Sequence, residues 1–522
     1  MSRRIFVLRA AAAAALCVLA SAGTGFAQTS GKWVPNEVLV KFTDGADSAI
    51  ARSASMRLGA SVTEVLGDKR WARVTLPSGL AVSDAVKDLS DMAGVEFAQP
   101  NYYYHLLLTP NDPSFSASGM YGLGRISAPS AWDLSTGSSS VVVADIDTGM
   151  RYTHQDLAAN AWVNTGEIPG NGVDDDGNGF VDDVYGWDFF YNDNDPIDDA
   201  GGHGTHTAGT IGAVGNNGLN VVGVNWSVKI MPIKIYSPNG TDSTSAMLVN
   251  AYAYIRMMKL RGVNIRATNN SYGGCGEACG YDQATKDGID AMGEAGIVNV
   301  FAAGNDNINN DVTPSYPVSY TSPSIIGVAS STNTDSKSGF SSYGPVAVDL
   351  AAPGSSVLST YNTSNTATAT LSGTSMATPH VTGAVALLAA YRPDLSVASL
   401  KASILNNVDV LTTPTNWATY VKTGGRLNVF KAMQTPTVCS FAPAGTTMTV
   451  PTKGGVFTVN ITPGANCDYL VRSQVRWIKV MSPETNSGTT TVTFRVTPNP
   501  TISRTGTITI GGQALTISQS RS

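Results

Sequence analysis

Hydrophobic and polar positions alternate differently in three successive regions of the chain. From Trp33 to about residue 105, strand-like pieces at 37–42 and 70–76 alternate with helical pieces, which is typical of a small α+β unit. From about residue 112 to 431, apolar strands such as 141–146 alternate with helical segments, which predicts a parallel sheet flanked by helices. Beyond Thr435, short runs rich in Thr and Val with Gly and Pro turns predict a β-sandwich.

The first 27 residues have the pattern of a secretory signal. Arg3, Arg4 and Arg9 precede or border an apolar run over 10–20, and the small residues Gly25 and Ala27 precede an expected cleavage site. The apolar run is too short to span a bilayer, and no other stretch approaches eighteen apolar residues. We therefore expect a secreted, extracellular protein without a membrane span. The expected boundaries are 1–27 for the signal, then 28–108, 109–435 and 436–522 for three domains.

Length and charge narrow the class of protein. The chain has 522 residues, too many for one hydrophobic core. Residues 109–435 carry 15 Lys and Arg against 28 Asp and Glu, a net charge of −13, and residues 436–522 carry 7 against 2, a net charge of +5. An acidic middle region in an exported chain favours cation binding and argues against nucleic acid. The basic tail has no run of Lys or Arg that would bind nucleic acid.

Four of the five cysteines remain after removal of the signal, and they lie in two near pairs. An even count in an exported chain favours disulfides, here Cys275 with Cys279 and Cys439 with Cys467. For the first pair, half of a zinc site is the alternative, although no second pair of ligands lies nearby in sequence.

The segment Gly373-Thr374-Ser375-Met376-Ala377-Thr378-Pro379-His380 places a serine before a run of small and apolar residues over 381–390. The run predicts a buried helix, and its first turn tolerates the missing N–H of Pro379. Ser375 is thus expected at a helix N-terminus, where unpaired N–H groups and the helix dipole favour negative charge. This setting suits a nucleophile that must face an oxyanion. The alternative is that Ser375 only caps the helix.

A nucleophilic serine needs a base, and the chain holds five histidines. His105 lies in the connector that continues through 106–111, and His154 and His380 lack a setting that suits a base. The segment 203–209 predicts a helix of small residues with His203 at its exposed start and His206 packed inside, one turn further on. His203 is therefore the expected base.

A carboxylate at a strand end would hold the tautomer of that imidazole. The strand 141–146 is followed directly by Asp147, which fits this role, but Asp145 is also acidic and also near the strand end. Spacing alone does not choose between the two.

Three segments together resemble the signature segments of the subtilisin-like serine proteases: Ile146-Asp147-Thr148-Gly149, His203-Gly204-Thr205-His206 and Gly373-Thr374-Ser375-Met376-Ala377. Their order along the chain, Asp, His, Ser, is that of subtilisin. The resemblance covers about residues 112–431 and implies an α/β fold, a subtilisin-like parallel sheet flanked by helices. It also implies that Asp147, His203 and Ser375 form the catalytic triad, and that Asn305 donates to the oxyanion. The alternative for Asn305 is an ordinary loop residue.

The same resemblance implies a substrate-binding edge at Asn270-Ser271-Tyr272-Gly273-Gly274, with Ser271, Tyr272, Gly273 and Gly274 as the binding residues. Such an edge pairs with the peptide backbone as an added strand. Tyr272 stands where family members often have an aliphatic residue. The pair Cys275 and Cys279 would close a small ring beside it.

Two acidic clusters suggest calcium as a cofactor. The first begins like an EF-hand loop, with alternating oxygen ligands and a turn glycine, but its twelfth position is Tyr185 rather than Glu. A solvated acidic loop is the alternative. Its expected ligands are Asp174, Asp176, Asn178, Phe180, Asp182 and Asp183. The second cluster rests on resemblance to the structural calcium site of many subtilases, and its expected ligands are Asp112, Asp156, Asn217 and the carbonyls of Gly215, Leu219 and Val221.

The flanking domains also carry resemblances. Residues 33–105 resemble the inhibitory prodomain of the family, which makes the prodomain an expected partner of its own catalytic domain. The C-terminal region resembles the BACON group of immunoglobulin-like domains through Trp477, Asn499, Arg504 and Gln519. This all-β sandwich would bind a glycan or another cell-surface ligand.

The sequence therefore predicts a secreted, calcium-stabilised, self-processing serine endopeptidase that hydrolyses protein and peptide substrates through an acyl-enzyme. One alternative is a member of the same fold specialised for a single peptide bond. The other is an adhesin or glycan-binding protein with a vestigial protease domain. The presence of Asp147, His203, Ser375 and Asn305 together argues against a vestigial site.

Overall fold

The computed structural model describes residues 33–67, 69–102, 108–116, 118–240, 243–273, 280–441, 445–499 and 502–520. The predicted signal peptide, residues 103–107 of the connector, and Gly274, Cys275 and Cys279 lie outside them. The chain divides into two compact units, Met1–His105 and Leu106–Ser522. Within the described ranges, no helix combines the length and apolar character needed to cross a bilayer.

The helices and strands have the following bounds. The strands are β1 (Trp33–Phe42), β2 (Ser61–Leu66), β3 (Trp71–Thr75), β4 (Val95–Tyr102), β5 (Gly137–Asp147), β6 (Trp187–Asp188), β7 (Ser227–Lys234), β8 (Ile265–Asn270), β9 (Val298–Ala302), β10 (Ile325–Ser331), β11 (Leu350–Pro353), β12 (Val357–Thr360), β13 (Thr368–Leu371), β14 (Asp409–Val410), β15 (Gly425–Arg426), β16 (Thr447–Val450), β17 (Gly455–Ile461), β18 (Asp468–Ser473), β19 (Ile478–Val480), β20 (Thr485–Ser487), β21 (Thr490–Val496), β22 (Arg504–Ile510) and β23 (Gln513–Gln519). The α-helices are α1 (Ala49–Arg57), α2 (Val82–Ser90), α3 (Tyr121–Arg125), α4 (Ala128–Trp132), α5 (His203–Gly212), α6 (Ser245–Leu260), α7 (Gln283–Glu294), α8 (Thr374–Tyr391), α9 (Val397–Asn406) and α10 (Val429–Gln434). Short 3₁₀ turns lie at Pro113–Ser116, Ser118–Met120 and Trp417–Thr419.

The first unit is the predicted small α+β fold. Its four strands pair in the order β2-β3-β1-β4, all antiparallel. Alternate residues of β1, Val38, Val40 and Phe42, are buried in a core shared with α1 and α2. Helix α1 begins where the Ser48 side chain accepts a hydrogen bond from the Ala51 N–H, an N-cap that satisfies one unpaired donor.

The middle of the second unit is a nine-stranded sheet in the order β14-β15-β11-β10-β9-β8-β5-β7-β6. The pairs are parallel except β14 with β15, which confirms the predicted parallel sheet. Strands β8, β9 and β10 are buried along their whole length, because helices cover both faces of the sheet. Helix α8, predicted from the apolar run, is buried along almost all of its 18 residues.

The C-terminal strands form two sheets around one core, which confirms the predicted β-sandwich. One sheet has the order β16-β23-β22-β18-β20 and the other β17-β21-β19. Their facing apolar residues, including Ile461, Phe494 and Ile508, form a single buried cluster. Cys439 and Cys467 are joined by the predicted disulfide.

This sandwich packs against helix α9 of the sheet domain. Ala398 and Ala402 of α9 belong to the buried cluster of the sandwich. Beside them Lys401 Nζ lies 2.8 Å from Asp468 Oδ2, and both side chains are less than a tenth exposed. A buried ion pair of this kind requires both partners in place, because loss of either one leaves an unpaired buried charge between α9 and β18.

Candidate functional site

The predicted site residues meet at one edge of the nine-stranded sheet. Strand β5 ends at Asp147, helix α5 begins at His203, and Ser375 is the second residue of helix α8. In a parallel sheet the carboxyl ends of the strands share one edge, where ligands bind in the crevice outside the strand ends. Residues that are 56 to 228 positions apart in the chain are thereby brought to one cleft.

Asp147 and His203 form a hydrogen-bonded pair. His203 Nδ1 lies 2.7 Å from Asp147 Oδ1, which also accepts the N–H of Thr148 at 2.7 Å. Burial by itself lowers the pKa of His203, but the charge and hydrogen bond of Asp147 outweigh it, and the pKa is raised above its usual 6.5. With Nδ1 donating to the carboxylate, Nε2 is the ring nitrogen that can accept a proton.

Asp145, the alternative candidate for the carboxylate of the triad, forms hydrogen bonds with residues other than His203. It lies two residues before Asp147 on β5 and is 2% exposed. Its Oδ1 accepts a hydrogen bond from Asn269 Nδ2 at 2.8 Å, and its Oδ2 lies 2.9 Å from Thr207 Oγ1. The geometry therefore pairs Asp147, and not Asp145, with the imidazole.

Ser375 lies at the start of α8, as the sequence predicted. Its Oγ donates to the carbonyl oxygen of Ser271 at 2.9 Å, and the Ser271 hydroxyl donates to the carbonyl oxygen of Ser375 at 2.9 Å. These reciprocal bonds tie the first turn of α8 to the segment that follows β8.

Asn305 has a fixed amide orientation. Its Oδ1 accepts hydrogen bonds from Thr374 N at 2.9 Å and from Thr374 Oγ1 at 3.0 Å. With the oxygen held in this way, the Nδ2 group is left to donate towards the cleft that Asn305 lines. Sequence reasoning missed Thr374, although a hydroxyl residue directly before the nucleophile was a signal for such a role.

A second missed residue is Asp198, which holds the start of helix α5. Its Oδ2 accepts hydrogen bonds from Thr205 N at 2.9 Å and Thr205 Oγ1 at 2.7 Å, and its Oδ1 accepts from Thr148 Oγ1 at 3.1 Å. The Thr148 Oγ1 in turn accepts the Gly204 N–H at 2.9 Å. An acidic residue just before a predicted helix start was the available signal, because helix N-termini favour negative charge.

The cleft has a volume of about 420 Å³. Its lining includes the catalytic candidates and three of the four predicted substrate-binding residues, Ser271, Tyr272 and Gly273, while Gly274 lies outside the described residues. The Tyr272 hydroxyl donates to Asn270 Oδ1 at 2.8 Å and lies 2.7 Å from the Tyr252 hydroxyl. The Tyr272 ring is thus fastened to the domain interior, which leaves its backbone at the cleft.

The other described histidines are structural. His206 Nε2 lies 2.9 Å from the Val357 carbonyl oxygen, and His380 Nδ1 lies 2.9 Å from that of Met376. Burial lowers the pKa of both imidazoles to about 4. His154 is buried as well, so His203 is the one described histidine that lines the cleft.

The structure brings together Asp112, Asp156 and Asn217, three predicted ligands of one calcium site. Asp112 Oδ2 accepts the Asn216 N–H at 2.7 Å, whereas its Oδ1 is buried and has no hydrogen-bond partner among the described residues. Asp156 Oδ1 accepts from Asn217 Nδ2 at 3.2 Å. Burial and then the charge of Asp156 raise the pKa of Asp112. A buried, unpartnered carboxylate oxygen beside a second carboxylate fits a hard cation.

The loop that carries the remaining ligands of this site is held to Asp156 at both ends. The Asp156 carbonyl oxygen accepts the Val214 N–H at 2.8 Å, and Asp156 Oδ2 accepts the Val221 N–H at 3.2 Å. The predicted carbonyl ligands Gly215, Leu219 and Val221 therefore lie on a loop fastened beside the carboxylates.

The second acidic cluster assembles differently from the EF-hand pattern. Carboxylate oxygens of Glu167, Asp176 and Asp183 lie within 4.8 Å of one another, which fits a metal ion. Burial raises the pKa of Asp183 to about 6. Asn178 lies beside this cluster but turns its Nδ2 towards Asp183 Oδ2 at 3.0 Å, while its Oδ1, the atom predicted to bind the ion, accepts the Phe180 N–H at 2.7 Å. Sequence reasoning missed Glu167, which precedes the acidic run by seven residues and has no motif around it.

Two of the predicted carboxylate ligands are not brought into that cluster. Asp174 accepts the N–H groups of Asn178 and Gly179, so its carboxylate closes a turn. Asp182 accepts three backbone N–H groups from residues 170–172. The ring of Phe180 packs on Trp187 and Tyr254, and the role of its carbonyl oxygen as a ligand stays a prediction. The local backbone competes for these carboxylates, which spacing could not reveal.

A buried carboxylate that is hydrogen-bonded to a partly exposed imidazole, in a cleft that a serine at a helix N-terminus also lines, defines the class of serine hydrolases. Within it, residues 138–432 match the Subtilase family, residues 20–101 match the fervidolysin N-terminal prodomain, and residues 468–520 match BACON, described as a putative binding domain. The chain belongs to the subtilase family and is a subtilisin-like serine endopeptidase.

Three curated relatives show how far the similarity extends. Thermitase of Thermoactinomyces vulgaris is 38% identical over 327 residues, 62% of this chain and 99% of thermitase. A thermophilic serine proteinase of Bacillus sp. (strain AK1) is 30% identical over 77% of this chain and 88% of its own length. An extracellular protease of Xanthomonas campestris pv. campestris is 29% identical over 74% of this chain and 70% of its own length.

Proposed function

We propose that this chain is a secreted, self-processing endopeptidase in which Asp147, His203 and Ser375 form the catalytic triad. The observation that carries the proposal is the 2.7 Å contact between His203 Nδ1 and Asp147 Oδ1 in the cleft that Ser375 also lines. A base oriented by a carboxylate beside a serine at a helix N-terminus supports nucleophilic catalysis.

In the proposed reaction, Ser375 Oγ attacks the carbonyl carbon of the scissile peptide bond while His203 Nε2 takes the hydroxyl proton. The resulting imidazolium is stabilised by Asp147, in line with the raised pKa of His203. His203 then gives the proton to the leaving amine, and an acyl-enzyme remains on Ser375. A water molecule attacks the acyl group, with His203 as base again, and releases the second product.

The negative charge that develops on the carbonyl oxygen is received by two donors. One is the N-terminal end of α8, and the other is Asn305 Nδ2, oriented by Thr374. In this family, loss of the asparagine donor costs about 3 kcal/mol of transition-state stabilisation. We propose that the backbone of Ser271–Gly273 pairs with the substrate as an added strand.

We propose that residues 28–108 act as the inhibitory prodomain after removal of the signal peptide at 1–27. The match to a fervidolysin prodomain over 20–101 and the compact fold of the first unit support this role. Asp112 is held by Asn216 in the catalytic unit, so self-cleavage should leave Asp112 on the mature chain. The cut is therefore expected between Tyr104 and Asn111, within 105–109.

We propose calcium at both acidic clusters. Asp112, Asp156 and Asn217, with the carbonyls of the 215–221 loop, would hold one ion, and Glu167, Asp176 and Asp183 would hold another. Bound calcium would supply positive charge to buried carboxylates and so stabilise the folded chain.

Removal of calcium is expected to lower the midpoint of thermal inactivation. An ion that binds only the folded state at 100 times its dissociation constant stabilises by about 2.7 kcal/mol, and chelation removes that contribution. Asp112→Asn and Glu167→Gln should each lower the midpoint in calcium and reduce the further drop on chelation. Scans of residual activity against temperature, with and without chelator, measure both effects.

The matched control is Asp287→Asn, which removes one exposed carboxylate of α7 that lies in neither cluster. It should leave both midpoints at the wild-type values. A wild-type midpoint that stays unchanged in excess chelator, with metal analysis finding no metal retained, contradicts the calcium proposal.

The C-terminal sandwich has a proposed role in binding a glycan or another cell-surface ligand, supported by its match to a putative binding domain.

The alternative of an adhesin with a vestigial protease makes a different prediction for catalysis. The endopeptidase is expected to cleave casein and internally quenched peptides at internal bonds, as mass spectrometry of the products would show. Full glycan binding without any peptide cleavage by the processed chain would instead support the adhesin.

A further inference from the structure

Asp145 is a buried carboxyl group that the proposed mechanism does not use. Residues two apart on a strand face the same side, so Asp145 lies on the same face of β5 as Asp147. Its two hydrogen-bond partners, Thr207 and Asn269, are neutral. A buried carboxylate with only neutral partners and a second carboxylate nearby is unfavourable in its ionised form.

On one side, Asp145 connects to the helix that begins with His203. Thr207 Oγ1 lies 2.9 Å from Asp145 Oδ2 and also 2.9 Å from the Gly204 carbonyl oxygen. A hydroxyl has one hydrogen and can donate it to only one of these oxygens. A proton on Asp145 Oδ2 resolves the competition, because Asp145 then donates to Thr207 and Thr207 donates to Gly204.

On the other side, Asp145 connects to the helix that carries Ser375. The two hydrogens of Asn269 Nδ2 go to Asp145 Oδ1 at 2.8 Å and to Ser271 Oγ at 3.0 Å. The Ser271 hydroxyl donates to the Ser375 carbonyl oxygen at 2.9 Å. Because the Ser271 hydroxyl uses its one hydrogen on Ser375, it can only accept from Asn269, and this sets the Asn269 orientation. Asn269 Oδ1 then faces α8, where it lies 3.0 Å from Thr382 Oγ1.

We propose that Asp145 is a neutral carboxylic acid that positions the two catalytic helices, holding α5 through Thr207 and α8 through Asn269 and Ser271. Asp145 is a positioning residue, since it acts through these neighbours and does not touch the reacting atoms. The proposal rests on the proposed catalytic roles of His203 and Ser375, because Asp145 would hold the helices that carry these two residues.

The electrostatic surroundings agree with the neutral form. Burial, and then the charge of Asp147, raise the pKa of Asp145 well above its usual value, and the opposing effects of Asn269, Thr207 and His203 are smaller. Asp147 and His203 are thus the titratable groups acting on it from β5 and α5. The neighbouring β8 and α8 present Asn269 and Thr382, which do not titrate.

The test compares two replacements of Asp145 in the processed enzyme. In Asp145→Asn the amide can donate to Thr207 and accept from Asn269, as a protonated carboxyl does, so kcat should stay within about threefold of wild type. Asp145→Val removes both bonds and should lower kcat by 10- to 100-fold with KM nearly unchanged, because small misplacements of catalytic groups reduce rates by up to about 10²-fold. Steady-state kinetics on a fluorogenic peptide measure both.

The pH profile gives a readout that a merely structural role would not predict. His203 must be neutral to act as base, so kcat/KM falls as the pH drops through its pKa. If Asp145 is neutral, Asp145→Asn leaves this acid limb in place. If Asp145 is ionised, the replacement removes a negative charge near His203 and moves the limb to lower pH. Such a shift, or a kcat as low as that of Asp145→Val, would overturn the proposal.

A second pair of variants keeps the test decisive if Asp145→Val fails to fold. Thr207→Ser retains the hydroxyl and should keep the wild-type kcat, whereas Thr207→Val removes the link to α5 and should lower kcat. Equal kcat for these two variants would overturn the positioning role. Failure of the triad itself is distinguishable, because it would appear as retained activity in Ser375→Ala.

Discussion

Replacement of Ser375 by alanine is expected to lower kcat for peptide hydrolysis by about 10⁶-fold, the loss that removal of the nucleophile produces in this family. The reason is that no acyl-enzyme can form without Oγ, whereas the oxyanion donors at Asn305 and the start of α8 remain. The residual rate should therefore still exceed the reaction in water by about 10³-fold. Hydrolysis of a fluorogenic peptide by the variant, produced with its prodomain as a separate chain, measures this loss.

The same variant is expected to stop maturation. Wild-type chain should release a fragment that ends between Tyr104 and Asn111, while the Ser375→Ala chain, expressed without other proteases, should stay joined. N-terminal sequencing of the mature form checks the position. A mature start beyond Asp112, or normal processing of the Ser375→Ala chain, would contradict self-cleavage at this connector.

Replacement of Asp147 by asparagine is expected to lower kcat by about 10⁴-fold at neutral pH, because an amide favours the wrong tautomer of the imidazole. The hydrogen bond from His203 Nδ1 to Asp147 Oδ1 and the raised pKa of His203 both depend on this carboxylate. In the variant, the new side-chain amide can donate its N–H to His203 Nδ1, which places the ring proton on Nε2. Steady-state kinetics across a pH series measure the loss.

Asp145→Asn is the matched control, since it is the same chemical change two residues away on the same strand. Asp145→Asn should lower kcat far less than Asp147→Asn does. If Asp145→Asn proved the more damaging of the two, the assignment of Asp147 as the triad carboxylate would be wrong.

The architecture was largely readable from local patterns. Runs of almost entirely apolar or small residues, such as 141–146 and 381–390, predicted a buried parallel strand and a buried helix, because an element that is buried on all sides shows no alternation of polar and apolar positions. The sequence marked the strand end at Asp147 and the two helix starts that carry His203 and Ser375. The structure places all three residues at one edge of the sheet. Their catalytic roles remain predictions that the variants test.

The contacts between segments that are distant in the chain could not be predicted from the sequence. The fold of one loop brings Glu167 to Asp176 and Asp183, and no sequence spacing predicts that Glu167 is part of this cluster. Conversely, Asp174 and Asp182 fitted a ligand pattern, yet their carboxylates bond to nearby backbone N–H groups. Local hydrogen bonding and tertiary packing compete for the same side chains, and only the structure shows which prevails.

The most direct test of the central claim is to map the residue that a serine-directed fluorophosphonate modifies. The enzyme should lose peptide hydrolysis in step with the uptake of one adduct, and tandem mass spectrometry should place that adduct on Ser375. Labelling should fall sharply in His203→Ala, because the hydroxyl then lacks its base. An adduct on another residue, or full hydrolytic activity in enzyme labelled at Ser375, would contradict the account.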